Sequence, residues 1–138
     1  MLHAGKRIIG VVGLYTIFAG RNNMYKGLII KESLSDETIL DCLNVLQVEL
    51  WRTDNIPKYW TAITFESEYE DFPERLSKVL KDSKAMPWYV DMKNGKTKII
   101  VLKDHVLSYT IGNSLEKEKV INKCRELGIN EAQLDWAD

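Results

Sequence analysis

The sequence predicts an α+β domain on a mostly antiparallel six-stranded sheet with about three helices, in the order β-α-β-β-α-β-β-β-α. Three observations carry that prediction. β-branched and aromatic residues fall in short runs separated by turn residues, the mark of hairpin-linked strands. Apolar residues at helical spacing follow capping residues at three places. The length, 138 residues with 45% hydrophobic content, suits one core rather than two. Hairpin-linked strands imply antiparallel pairing, with the helices expected on one face of the sheet.

Each element has its own signal. Tyr25 to Glu32 contains Leu28-Ile29-Ile30 and reads as a strand. Ser35 can cap a helix whose first turn holds Asp36 and Glu37, acids that favour the helix dipole. Ile39, Cys42 and Leu43 continue it at helical spacing. From Asn44 the pattern alternates, with Leu46, Val48 and Leu50 on one face and Gln47, Glu49 and Trp51 on the other. Arg52 to Pro57 is a turn, and Tyr59 to Glu66 is a strand that closes a hairpin. Asp71-Phe72-Pro73-Glu74 joins a cap, a proline in the first turn and a capping-box glutamate. Phe72, Leu76, Val79 and Leu80 then form one apolar stripe. After Pro87 comes a meander of three strands, Trp88 to Met92, Thr97 to Leu102 and His105 to Ile111. Asn94-Gly95 suits a type I′ turn between the first two, and Lys103-Asp104 turns between the last two. Ser114 opens a final helix with Val120, Ile121, Cys124 and Leu127 inward. Gly128 fits the C′ position with Ile129 folding back. Asn130 opens a short last turn before Trp136.

Residues 1–23 differ from the rest. They contain Lys6, Arg7 and Arg21 and no acid, so all 20 acidic residues fall in residues 24–138. The apolar run Ile8 to Ala19 behind Lys6-Arg7 admits three readings. It resembles a signal peptide with a small-residue end at Ala19-Gly20. Alternatively it is an extension upstream of a domain that starts at Met24. The third reading is an extra buried strand, suited by Val11, Val12, Tyr15, Thr16 and Ile17. The run is shorter than the roughly 20 residues a spanning helix needs, so no membrane span is expected. Residues 24–138 read as a single α+β domain.

Charge narrows the function classes. A formal charge of −1 and a pI near 6.1 give no basic excess for phosphate contacts, so nucleic acid is not an expected partner. Cys42 and Cys124 stand far apart, outside any CxxC or Cys/His pattern. They read as small apolar residues inside helices, as in a cytoplasmic protein. An exported chain, with residues 1–20 as its signal, is the alternative and would revive a disulfide.

Few residues point to chemistry. The acidic run Glu66, Glu68, Glu70, Asp71 and Glu74 lacks the Asp/Asn and Gly spacing of a calcium loop and reads as a solvated loop with a helix start. Gly5, Gly10 and Gly13 fit neither a dinucleotide fingerprint nor a phosphate loop. His105, with Asp91 or Asp104 nearby in sequence, is the one acid–base candidate outside the odd N-terminal segment. No catalytic residue, metal ligand or cofactor is assigned.

The aromatic residues give the better candidate. Tyr59-Trp60 and Trp88-Tyr89 each open a strand, and Trp51 faces the first pair across the hairpin. Neighbours in a strand point to opposite faces, so each pair sends one ring to the core and one away. Trp51, Tyr59, Trp60, Trp88 and Tyr89, with His105, are therefore the candidate ligand-binding residues.

Three phrases carry a resemblance: Met24-Tyr-Lys-Gly-Leu-Ile-Ile-Lys-Glu-Ser-Leu34, Pro57-Lys-Tyr-Trp-Thr-Ala-Ile-Thr-Phe-Glu66 and Leu127-Gly-Ile-Asn-Glu-Ala-Gln-Leu-Asp-Trp136. Over residues 24–138 the chain resembles short uncharacterised prokaryotic proteins. The resemblance implies a start at Met24 and a cytoplasmic location, and it brings no activity. The expected function is non-enzymatic binding of a small apolar ligand or a protein partner through an aromatic-lined sheet face. An enzyme using His105 with Asp91 or Asp104 is the alternative. A homo-oligomer formed through an exposed edge strand is a third reading.

Overall fold

The computed structural model describes residues 5–10, 24–82 and 87–138. Most of the apolar run Ile8–Ala19, together with His3, lies outside them. Among the described residues seven strands form one sheet. They are β1 (Gly5–Gly10), β2 (Tyr25–Ile30), β3 (Asn44–Arg52), β4 (Tyr59–Ser67), β5 (Tyr89–Asn94), β6 (Thr97–Leu102) and β7 (His105–Thr110). Their order is β1-β3-β4-β2-β5-β6-β7, and every pairing is antiparallel. The six strands read within residues 24–138 are all present, and β1 adds a seventh at one edge.

Two α-helices, α1 (Phe72–Val79) and α2 (Ser114–Glu126), occupy the second and third helical positions. The first is a 3-10 helix, Glu37–Cys42. Its cap is Asp36 rather than Ser35. Asp36 Oδ1 accepts both the amide (2.9 Å) and the hydroxyl (2.6 Å) of Thr38. That tight local bonding, with β-branched Thr38 and Ile39 behind it, suits one narrow turn better than a regular α-helix. Ser35 instead donates its hydroxyl to the Val79 carbonyl.

Three other local expectations shift slightly. Asp71 makes no capping bond to α1, because its carboxylate holds Arg75 Nε at 2.8 Å. Asn113, one residue before Ser114, caps α2 by accepting from the Glu116 amide. The β5–β6 turn is Gly95-Lys96 rather than Asn94-Gly95, with Asn94 still paired to Thr97. Gly95 takes φ +60 at the first turn position, as a type II′ turn requires. The end of α2 follows the sequence reading: Ile129 N–H bonds Cys124 O and Gly128 N–H bonds Arg125 O, a Schellman motif.

The larger correction concerns the layers. The helices do not share a face. Val90, Met92, Ile99 and Val101 pack with Phe72 and Leu76 of α1 and with Leu80 at its C-cap. Their strand neighbours Tyr89, Ile100 and Leu102 pack with Val120 and Cys124 of α2. Successive strand residues face opposite ways, so α1 and α2 cover opposite sides of the β5–β6–β7 half. The unbroken run Ile99–Leu102 is the physical reason, since a strand apolar at every position must be covered twice. On the α2 side the chain end is tied down by Trp136 Nε1 donating to Tyr109 Oη (3.0 Å) and Tyr109 Oη donating to Asp138 Oδ1 (2.6 Å).

The centre of the sheet is a narrow joint. β2 and β5 pair only at Lys26–Lys93 and Gly27–Met92. A Cβ on Gly27 would lie 2.7 Å from Asp91 O and 3.0 Å from Met92 Cβ. Beyond Gly27 the two strands part. At that open end the Leu34–Leu80 bridge and the Lys81 N–H to Ser33 O bond (2.7 Å) stitch the exit of β2 to the end of α1.

Two predictions follow from this packing. Gly27→Ala forces β2 and β5 apart and should cost about 2 kcal/mol in a urea melt, as overpacking does; an unchanged midpoint would show that the joint has slack. Cys42 and Cys124 sit in cores on opposite sheet faces, so no disulfide can join them without rebuilding the fold. Burial pushes the Cys124 thiol up to about 11. At pH 8 a thiol reagent should label half-buried Cys42 in the folded protein and Cys124 only in denaturant.

Candidate functional site

Antiparallel pairing brings several distant segments to one end of the sheet. The C-terminal ends of β2, β3 and β6 lie there beside the N-terminal ends of β4, β5 and β7. Trp51 pairs with Trp60 across the β3–β4 hairpin. Trp88 then meets Trp60 edge-on, ring centres 5.0 Å apart and planes at 61°. Such edge contacts add roughly 1 kcal/mol to the area they bury. Ile30, Ala62 and Leu28 complete this small apolar cluster.

The individual roles divide. Trp51 is half-buried and donates Nε1 to Glu49 Oε2 at 3.0 Å, while Gln47 Nε2 bonds the other carboxylate oxygen at 3.1 Å. Trp60 is 1% exposed. Its indole N–H finds no acceptor among the described residues, a loss on the order of 1–3 kcal/mol that only a well-packed site tolerates. Tyr59 pairs with Arg52 on the opposite face and is exposed. Tyr89 belongs to the α2-side core, and its hydroxyl donates to Gln133 O at 2.6 Å. Burial and the nearby Asp91 and Asp135 raise the Tyr89 pKa far above its ordinary value, so it stays a neutral hydrogen-bond donor. All six candidates lie at this end of the sheet, but only Trp51, Trp60 and Trp88 share a cluster. His105 lines a depression with Trp88, Tyr59 faces the other way and Tyr89 is committed to the α2-side core.

Two depressions lie across this end of the sheet. One, of about 380 Å³, is bounded by Trp88, Leu102, His105 and the turn Leu127-Gly128 after α2. The other, of about 490 Å³, is bounded by Glu32, Ser35, Ile56, Pro57 and Leu80. They share Lys81, Asp82, Trp88 and Lys103. Among the described residues the two adjoin at these positions, Trp88 included, and together are termed the groove. Its walls are fixed by backbone and charged groups. The Asp104 amide donates to Ser77 O (2.9 Å), Lys103 Nζ to Lys78 O (2.7 Å), and Lys78 Nζ pairs with Asp104 Oδ1 (3.2 Å). These bonds dock the β6–β7 turn onto the end of α1. Asp104 takes φ +61 to make that turn, and its Lys78 partner holds its carboxyl below the usual carboxylate range. On the far wall Glu32 accepts the amide (2.6 Å) and hydroxyl (2.9 Å) of Thr61.

His105 lines the groove, half-buried at the start of β7. Neither carboxylate expected to serve it does so by hydrogen bond. Asp104 is spent on Lys78. Asp91 is spent on Lys98, at 3.0 Å. The Lys98 side chain is 4% exposed and also donates to Ala137 O at 2.8 Å. Asp91 thus neutralises a buried ammonium rather than tuning a base. Among the described residues no three His, Cys, Asp or Glu side chains are grouped to hold a metal ion. No helix among them is long and apolar enough to cross a membrane.

Lys81, Asp82, Lys103, Ile56 and Pro57 are groove residues that the sequence reading did not single out. The signal that could have found them is the set of turns, because alternate turns of an antiparallel sheet fall at the same end. It could be used only once the β2–β5 neighbourhood was known. Comparison with protein families, characterised proteins and solved structures finds no match to this chain.

Asp91→Ala should cost about 2 kcal/mol of stability, since it strands a buried lysine; the partial exposure of Asp91 keeps the loss below that of a fully buried pair. Lys98→Met together with Asp91→Ala should recover most of it in the same denaturation experiment. A double variant as unstable as the single one would contradict the pairing role.

Proposed function

We propose that this chain is a protein-binding domain that takes a segment of a partner in the groove at the split end of its sheet. The observation that supports this reading is the pair of joined depressions sharing Trp88, with Ile56 standing 94% exposed on the rim. Small apolar ligands are held in sites that bury most of their surface. Here two adjoining depressions lie side by side instead, and among the described residues both signs of charge line their walls. Such a surface suits a segment of chain with an apolar anchor between polar residues. A tryptophan at the centre of a contact, ringed by polar groups, is the usual energetic anchor of protein recognition. The candidate set contracts to Trp88 and His105 at the surface, with Trp51 and Trp60 as their support. An acid–base role for His105 has less support, because both candidate carboxylates are engaged elsewhere.

Photo-cross-linking in the cells that make the protein tests this. A photo-reactive residue at position 56 should give a discrete protein adduct. The same residue at position 26, at the far end of β2, should not. Lys103→Glu should reduce the adduct from position 56 several-fold, and Trp88→Ala should abolish it if the fold holds. Equal adducts from both positions, or none from either, would remove the proposal.

A further inference from the structure

The two edges of the sheet differ. β1 contains Lys6 and Arg7 in its sequence, and its register against β3 slips between Ile8 and Gly10. Positive charge and irregular register are the usual protections against unwanted strand pairing. β7, His105-Val-Leu-Ser-Tyr-Thr110, has no lysine, no acid, no proline and no slip in its register against β6. Val106 stands 36% exposed on it.

The hydrogen-bonding state of that edge can be read from its end. Thr110 turns its amide away from β6 and gives it to Glu116 Oε1 at 2.8 Å, while its carbonyl accepts from Asn113 N–H at 3.0 Å. Antiparallel ladder bonds use alternate residues. Val106 and Ser108, stepping back by two from Thr110, therefore also turn their N–H and C=O groups outward. The chain closes its own edge at Thr110, and among the described residues none pairs with Val106 or Ser108 on that side.

Beside the open stretch lies a hollow of about 590 Å³ between β7 and α2. Leu107 and Val120 form its apolar floor, and Lys119 and Lys123 stand over it. Both lysines are exposed. Lys119 reaches no carboxylate within 4 Å among the described residues, acting on Glu116 only at longer range, and Lys123 has only a 3.4 Å contact to Glu126 on its own helix. Glu116, the acid in the hollow, is already committed to the Thr110 amide, which holds its carboxyl below the usual carboxylate range. Lys119 and Lys123 are four residues apart, about 6 Å along the helix axis. Alternate residues of a strand repeat at about 6.7 Å. A strand laid against β7 would thus bring two successive side chains of one face beside the two lysines.

We propose that β7 accepts an extended segment of a partner protein by strand addition, and that the segment has acidic residues at alternate positions facing Lys119 and Lys123. This surface is separate from the groove at Trp88. A second copy of the chain fits it less well, because β7 contains no acid to meet the lysines. Main-chain bonds to Val106 and Ser108 would supply the pairing and the charges the choice of partner.

The test uses two blocked eight-residue peptides, one of alternating Val and Asp and one of alternating Val and Lys, titrated into the ¹⁵N-labelled full chain. The Val-Asp peptide should shift the amides of Val106, Ser108, Lys119 and Lys123 saturably, and the Val-Lys peptide should not. The Lys119→Glu/Lys123→Glu variant, altered only at exposed side chains, should bind the Val-Asp peptide at least tenfold more weakly. The proposal is overturned if the strand amides stay still up to millimolar Val-Asp peptide, or if both peptides act equally. Shifts at the lysines alone would also overturn it, as simple ion screening. So would concentration-dependent dimerisation that moves the same amides without peptide.

Discussion

Gly27 is the position on which the rest of the architecture depends. The sheet consists of a four-stranded half, β1-β3-β4-β2, and a three-stranded half, β5-β6-β7. Within each half the strands pair along most of their length. Between the halves there are two residue pairs, and one needs a glycine for the backbones to approach. So short a joint cannot be held by ladder bonds alone, each worth roughly 1 kcal/mol net. The α1-side core does the rest. Ile29, Ile63 and Phe65 of one half and Val90, Met92 and Ile99 of the other meet under the same Phe72, Leu76 and Leu80. The helix spans the joint, and the hydrophobic contact it makes to both halves is what makes them one sheet.

The groove follows from the same constraint. Had β2 and β5 paired to their ends, Trp88 would lie against the exit of β2 with no room between them. Because pairing stops at Gly27–Met92, the strands part and the chain leaving α1 passes between them. Lys81 and Asp82 are carried into the gap by the Lys81 amide bond to Ser33. The β6–β7 turn is pulled onto α1 by the Asp104 and Lys103 bonds to Ser77 and Lys78. The walls on the α1 side are therefore anchored through Ser33, Ser77 and Lys78, and Lys103, Asp104 and Glu32 are themselves held by hydrogen bonds. Walls held in this way lose little ordering entropy in any contact they make.

Local features were legible in the sequence and long-range ones were not. Hairpins, the stripe of α1 and the Gly128 cap depend on residues a few positions apart, and all appear close to where the spacing put them. The small misses, Asp36 for Ser35 and Asn113 for Ser114, reflect side chains that can each cap and compete within one turn. The 3-10 helix was hidden because Ile39, Cys42 and Leu43 satisfy either helical period over so short a span. The two-sided burial of β6 was present in the run Ile99–Leu102 but was outweighed by the hairpin pattern, which suggests one wet face. The β2–β5 joint left almost no trace. It rests on two pairs and one glycine, and glycine in a strand reads equally well as a weak spot. The candidate aromatics were chosen by their positions at strand starts, and Trp51 by its place across the hairpin, yet only the pairing could show that Tyr59 faces away and that Tyr89 is committed to Gln133.

Trp88 is the residue at which fold and groove meet. Several aromatic side chains here are structural: Tyr89, Tyr109 and Trp136 fasten residues 133–138 to the sheet, and Phe65 packs against Phe72 of α1. Trp88 alone joins a core contact, to the Trp60 ring, with a place where the two depressions adjoin. Anything that covers its outer face also shields the Trp60 contact from water. Occupancy of the groove and stability of the split end are then linked, because a partner that binds only the folded state adds its binding free energy to the fold. The split that weakens the centre of the sheet is thus the feature that leaves Trp88 at the surface, and the structure tolerates it because α1 packs against both halves.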